Sequence, residues 1–194
     1  MKKILLIIFS LVALKNDAFL QTGQKEKKMF ASQVSAGIVE GQYQTSFHIE
    51  TLNGFRYKTW FGGIGAGLDY YYLRSVPLYL STTKYLTESN NSFYLQGNAG
   101  INFAWEREPM TVWNEVSSDF KPGLYWNGSV GWATGLDKKN SFLFGVGYSY
   151  KKLTEVKEIA VQCFNPPCQN SVETYEYNLK RLSLKLGWQF NHAR

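Results

Sequence analysis

The chain has 194 residues, a formal charge of +6, 16% aromatic residues and only two cysteines. That length suits one domain plus a leader. The modest positive charge reads as a solvated basic surface, and no nucleic-acid-binding signature accompanies it, so nucleic acid is excluded as a partner. Two cysteines and two histidines, His48 and His192, are too few for an ordinary metal site, and no cofactor is implied.

Met1-Lys2-Lys3 opens the chain with positive charge, and Ile4 to Leu14 is apolar except for Ser10. The run is too short for a spanning helix and has the shape of a secretory signal. A signal peptide over 1–24 is expected, with cleavage between about 18 and 24, leaving a mature domain over 25–194. Its loss removes Lys2, Lys3, Lys15 and Asp17, which lowers the formal charge to +4.

From about residue 30 the chain alternates with a period of two, the signature of strands lying between two environments. A first strand is predicted over 30–40, with Val34, Ala36 and Ile38 on one face. A second covers 45–57, with Phe47, Ile49, Phe55 and Tyr57 on one face and His48, Glu50 and Arg56 on the other. Asn53-Gly54 is a hairpin signal. The alternation continues through it, so a bend inside one strand is expected there. A third strand, 60–72, sets Ile64, Ala66, Leu68 and Tyr70 against Gly63, Gly65, Gly67, Asp69 and Tyr71. The glycines do not have dinucleotide-binding spacing. They are expected to make room in a narrow barrel for large side chains from opposite strands.

A fourth strand over 76–86 places Leu78, Leu80, Thr82, Lys84 and Leu86 on its outer face. Lys84 must lie near the strand end, because a lysine at a bilayer midplane costs roughly 2–4 kcal/mol. The fifth strand has the clearest pattern. Phe93, Leu95, Gly97, Ala99, Ile101, Phe103 and Trp105 share one face; Tyr94, Gln96, Asn98, Gly100, Asn102, Ala104 and Glu106 share the other. Its length suits a tilted strand crossing a membrane.

Residues 109–123 form an expected surface loop, apolar for its position, with Met110, Val112, Trp113 and Phe120. The sixth strand is predicted over 124–136 and the seventh from Phe142 toward Lys157. A second long loop, 158–174, carries Cys163 and Cys168, which are expected to form a disulfide in an exported protein. The last strand, 175–190, ends in Trp188-Gln189-Phe190. The turns after strands two, four and six are short, and the loops after strands five and seven are long. That asymmetry matches short periplasmic turns and longer outer loops.

The Gly63–Tyr70 strand, Arg74-Ser75-Val76-Pro77-Leu78 and the final Gly187-Trp188-Gln189-Phe190 resemble the small outer-membrane β-barrel proteins of Gram-negative bacteria, the porin-like or OmpX-like group. The resemblance covers about 29–190. It implies an all-β fold: a single eight-stranded antiparallel up-and-down barrel in the bacterial outer membrane, in contact with outer-membrane lipid. It also implies that Phe190 serves as the C-terminal aromatic read by the barrel-assembly machinery, although Asn191 to Arg194 follow it.

On this reading His48, Glu50, Arg56, Asp69, Glu106, Arg181 and Lys185 point into the barrel and must pair, since an unpaired buried charge is costly. The expected role is structural or surface-interaction, as a monomer without catalysis. An extracellular ligand would bind through loops 109–123 and 158–174. A lipid-modifying enzyme built on His48, with Ser46 and Glu50 beside it, is the first alternative. A secreted lipocalin-like binder, with the apolar faces turned inward, is the second.

Overall fold

The computed structural model describes residues 29–89, 91–105, 115–135, 140–161 and 170–192. Nine strand segments run in chain order: β1 Met29–Gly41, β2 Thr45–Tyr57, β3 Trp60–Asp69, β4 Ser75–Tyr85, β5 Asn91–Ala104, β6 Glu115–Lys121, β7 Gly123–Gly135, β8 Asn140–Ile159 and β9 Ser171–His192. All pairings are antiparallel; β1 to β5 pair in chain order, β5 pairs with β7, β8 pairs with both β6 and β7, and β9 pairs with both β8 and β1, which closes the ring. β6 and β7 occupy the same place beside β8, at different heights, so the ring has eight strands.

The split between β6 and β7 has a local cause. Lys121 faces Thr154 and Tyr125 faces Lys151. Three residues therefore oppose two, a bulge centred on Pro122, whose missing N–H cannot join the ladder. Asn53-Gly54 lies inside β2 as the alternation predicts. Strand three ends at Asp69, short of the predicted Tyr72. Tyr70 to Arg74 instead turn the chain, with Tyr72 in the left-handed region at φ 61°.

The faces sort as the period of two predicts. Ile64, Leu80, Leu95, Val130, Val146, Leu184 and Leu186 lie on the outside, each at least two-fifths exposed. Aromatic pairs flank this aliphatic band at both ends. Phe30–Phe55, Phe93–Trp132 and Trp188–Phe190 lie toward the end where β1 begins and β9 ends; Phe47–Tyr70 and Trp126–Tyr148 lie toward the other. Lys84 sits one residue from the end of β4, its Nζ 4.6 Å above the Trp60 ring and 2.6 Å from Thr59 Oγ1.

The glycines make room, but for neighbours rather than for opposite strands. Gly65 faces Tyr79 across the β3–β4 ladder, and a Cβ there would strike the Tyr79 ring. Gly131 faces Tyr94, whose ring also covers Gly145 on the next strand. Side chains in a twisted sheet lean along and across the wall, so the nearest neighbour claims the space first.

The predicted loop over 109–123 is corrected in part: Glu115–Lys121 is strand β6, paired with Thr154–Ile159. The loop over 158–174 is narrower too, because Glu158–Ile159 and Ser171–Thr174 belong to the β8–β9 ladder. Met110, Val112, Trp113, Glu106, Cys163, Cys168 and the leader lie outside the described residues.

β8 and β9 outgrow the ring. The β1–β9 ladder stops at Gly41–Arg181, whereas β8–β9 continues unbroken to Ile159–Ser171. At about 3.3 Å per residue the extra ten positions of β9 rise roughly 30 Å above the rim. β6 joins them, giving a three-stranded β6-β8-β9 sheet that stands over one side of the barrel mouth.

Candidate functional site in the barrel lumen

The lumen is built from inward side chains on β1 to β5 and β7 to β9. Five of the charged residues anticipated there, His48, Glu50, Asp69, Arg181 and Lys185, are all more than nine-tenths buried inside the barrel. Arg56 is half-buried at the terminal rim, its guanidinium 4.5 Å above the Tyr85 ring. Phe190 faces outward on β9, opposite Ser32 and Asn140. The strand continues past it to His192, with Asn191 turned inward to accept a hydrogen bond of 2.6 Å from Gln189 Nε2.

Two charge clusters fill the middle of the barrel. In the upper one, Arg181 Nη1 donates to Asp69 Oδ2, and Lys151 Nζ lies 3.5 Å from Asp69 Oδ1. The Tyr71 N–H donates to Asp69 Oδ1 at 2.9 Å. Lys151 was not among the anticipated residues, yet it is fully buried and spends three donors on Tyr71 O, Leu73 O and Ser75 Oγ, at 3.0, 3.0 and 2.9 Å. It ties the Tyr70–Arg74 turn down over the lumen. Tyr71 lies over the Arg181 guanidinium at 5.3 Å and packs with Val39 and Leu179, closing the upper end. Lys151 continues the inward series Gly145, Gly147 and Ser149, a sequence signal that would have found it.

In the lower cluster Glu50 gathers the donors. Lys185 Nζ donates to Oε1, Tyr79 Oη to Oε2 at 2.8 Å, and Ser35 Oγ to Oε1 at 3.3 Å. His48 Nε2 stands 3.8 Å from the same carboxylate, beyond hydrogen-bond reach. His48 faces the lumen, not the membrane-facing surface that a lipid hydrolase would use. Below it, Gln33, Tyr85 and Gln189 interlock. Gln33 Nε2 and Tyr85 Oη both donate to Gln189 Oε1, at 2.8 and 2.6 Å. Phe61, Leu143 and Ala133 pack beside them.

On the standing sheet, Glu155 of β8 accepts hydrogen bonds from Tyr177 Oη at 2.7 Å and Ser118 Oγ at 2.9 Å, with Lys157 Nζ at 3.2 Å. Partial burial pushes this carboxyl up, but the bonds from Tyr177, Ser118 and Lys157 outweigh it and hold Glu155 below the usual range. The Tyr177 ring packs tilted against Tyr72 at 5.3 Å, and Tyr72 contacts Tyr43 at 4.4 Å, so the sheet rests on the turn across the mouth.

A closed ring with polar residues inside and an aliphatic belt between aromatic girdles outside is the geometry of a transmembrane β-barrel. A lipocalin-like arrangement, with its apolar faces turned in around a ligand, is overturned by the same sorting. No protein-family model matches this sequence, and no curated protein matches it. Among solved structures it is similar to Neisserial surface protein A, with 13% identity and a TM-score of 0.55 over 84% of this chain and 96% of the other. OprG, an outer membrane protein of Pseudomonas aeruginosa, gives 12%, 0.54, 89% and 99%. The outer membrane protein AlkL, solved in lipid bilayers, gives 10%, 0.55, 93% and 98%. The chain has the fold of the small outer-membrane β-barrels.

Proposed function

We propose that the protein resides in the bacterial outer membrane as a non-conducting barrel and serves a structural or surface-interaction role, presenting the β6-β8-β9 sheet outside the cell. The observation that carries this reading is the contrast between the two parts of the molecule. The lumen is crossed by paired charges and closed by Tyr71, whereas β6 and the upper half of β9 each leave one edge unpaired among the described strands. Open edges and standing loops are where binding concentrates. The expected disulfide between Cys163 and Cys168 would clip the tip of that sheet, and monomeric assembly through the barrel machinery belongs to the same reading.

Planar-bilayer recording together with protease treatment of intact cells tests it. The expected result is no resolved conductance steps and cleavage confined to 105–121 or 158–174. Steady ohmic conductance, or full protection of both segments, would count against it. The lipid-modifying alternative has its own assay: deacylation of outer-membrane lipid by the purified barrel, lost in His48→Ala.

A further inference from the structure

We infer that the outer wall binds one anionic glycerophospholipid, with an acyl chain in a groove across β5, β7 and β8 and the headgroup phosphate at Lys84. Register builds the groove from two rows. Phe93, Trp132 and Phe144 face one another across the three strands, and Leu95, Val130 and Val146 form the next row toward the middle of the wall. All six side chains are outside the barrel and at least one-third exposed. Between the rows the floor is the backbone of Tyr94 and Gly131. The groove holds about 370 Å³ and is lined almost wholly by apolar groups, which is the size of a ligand pocket. Beyond the second row the wall is bare. Gly97 faces Gly128 across β5–β7; a Cβ at Gly128 would meet nothing, and one at Gly97 only Thr82 Cγ2 at 4.0 Å. A chain leaving the groove runs on over glycine toward the middle of the bilayer.

Depth and rim charge choose the occupant. The groove lies two to six residues in from the ends of β5, β7 and β8, roughly 7–20 Å along the strand, beside the Phe93–Trp132 girdle. At that depth a bilayer presents acyl chains just below their headgroups. Lys84 stands directly across from Leu95, one strand from the groove. Its Nζ bends to the rim, over the Trp60 ring and 2.6 Å from Thr59 Oγ1. That uses one of three ammonium donors and leaves two for phosphate oxygens. Lys58 precedes Thr59 in the same turn, and Glu88 is the carboxylate of the next turn along this rim. The β7–β8 connection, 136–139, adds Asp137, Lys138 and Lys139 by sequence. The rim is therefore net positive and suits an anionic headgroup. With the standing sheet outside the cell, this end faces the inner leaflet, where the lipids are glycerophospholipids; the choice of lipid rests on that proposed orientation.

Native mass spectrometry tests it, on the mature protein refolded in detergent with equal amounts of phosphatidylglycerol, phosphatidylethanolamine and lipid A. One retained phosphatidylglycerol is expected, preferred over phosphatidylethanolamine about fivefold, the discrimination that one lysine near an anionic headgroup supplies. Val146→Trp, which fills the groove, should strip the lipid. Gly128→Leu, whose added atoms meet open space and so leave the fold intact, should weaken retention. Lys84→Gln should keep one lipid and lose the headgroup preference. The shift in gel mobility between unheated and boiled samples verifies folding of each variant. No retained lipid, retention undiminished in both groove variants, or equal retention of the two phospholipids by the unaltered protein overturns the inference. A dimer in place of the lipid overturns it too and gives the groove to a second copy. Preference for lipid A overturns the choice of lipid, while protease cleavage on intact cells reads the orientation separately, so the two failures are told apart.

Discussion

Asp69→Asn isolates the electrostatic part of the upper cluster. The substitution keeps the side-chain volume and one carbonyl oxygen for the Tyr71 N–H, now 2.9 Å from Asp69 Oδ1. It removes the one negative charge among the described residues that touches Arg181 and Lys151, which are both essentially inaccessible to solvent. Removing one partner of a buried pair leaves an uncompensated charge and costs about 3–5 kcal/mol. With a urea slope of about 2 kcal/mol per molar, the midpoint should fall by roughly 2 M. Equilibrium unfolding in lipid or detergent, followed by tryptophan fluorescence and by gel mobility, measures it. The double variant Asp69→Asn/Lys151→Met removes one of the two stranded cations and should recover part of the loss. A cost below about 1 kcal/mol for the single variant, or a double variant less stable than the single one, would refute the idea that these charges hold one another.

Three further outcomes follow from the wall and the standing sheet. Leu80→Lys, in the middle of the aliphatic band, should cost about 2–4 kcal/mol, while Lys84→Leu at the strand end should be near neutral; unfolding midpoints in lipid compare them. Gly65→Ala should cost about 1–3 kcal/mol through overpacking against Tyr79, and Tyr79→Ala in the same chain should relieve that clash, as thermal unfolding would show. The lowered folded-state pKa of Glu155 makes its contribution complete above the unfolded carboxylate value near 4.3 and lost as pH falls through the folded value. The protection factors of the β6 amides, with exchange rates normalised to the intrinsic rate at each pH, should therefore fall in acid, and Glu155→Gln should flatten that dependence.

The wall of the barrel was legible because bilayer and lumen impose opposite demands on alternate residues. Phe93 to Trp105 therefore announced both their strand and its faces. Pairing inside was harder to read. His48, Glu50, Asp69, Arg181 and Lys185 were placed by alternation alone, but alternation does not tell which strand's charge meets which. Arg181 reaches Asp69 from 112 positions away in sequence. Lys151 is hard to see in the sequence because it follows the small inward residues Gly145, Gly147 and Ser149, and its inward position emerges only on continuing the count by two past them. The outer segments misled for a different reason. Glu115–Lys121 carries the polar composition of a loop, because it pairs with the part of β8 beyond the closed ring, where no wall divides two environments. Pro122 then reads as a loop marker where it marks a bulge.

The seam between β1 and β9 has a consequence for how the molecule comes into being. With β6 and β7 counted as one interrupted strand, every other ladder joins strands that follow one another along the chain, and its pairing can begin as soon as the second is made. This one joins Phe30 to His192, the two extremities of the described chain. Its closure is the one event with a long loop to order, and it waits for β9. Until then the sheet has two raw borders, one at each end, ready to accept foreign strands. A chain without β9 keeps six of the seven hairpins and none of the closure, so that strand decides whether a barrel or an open sheet forms.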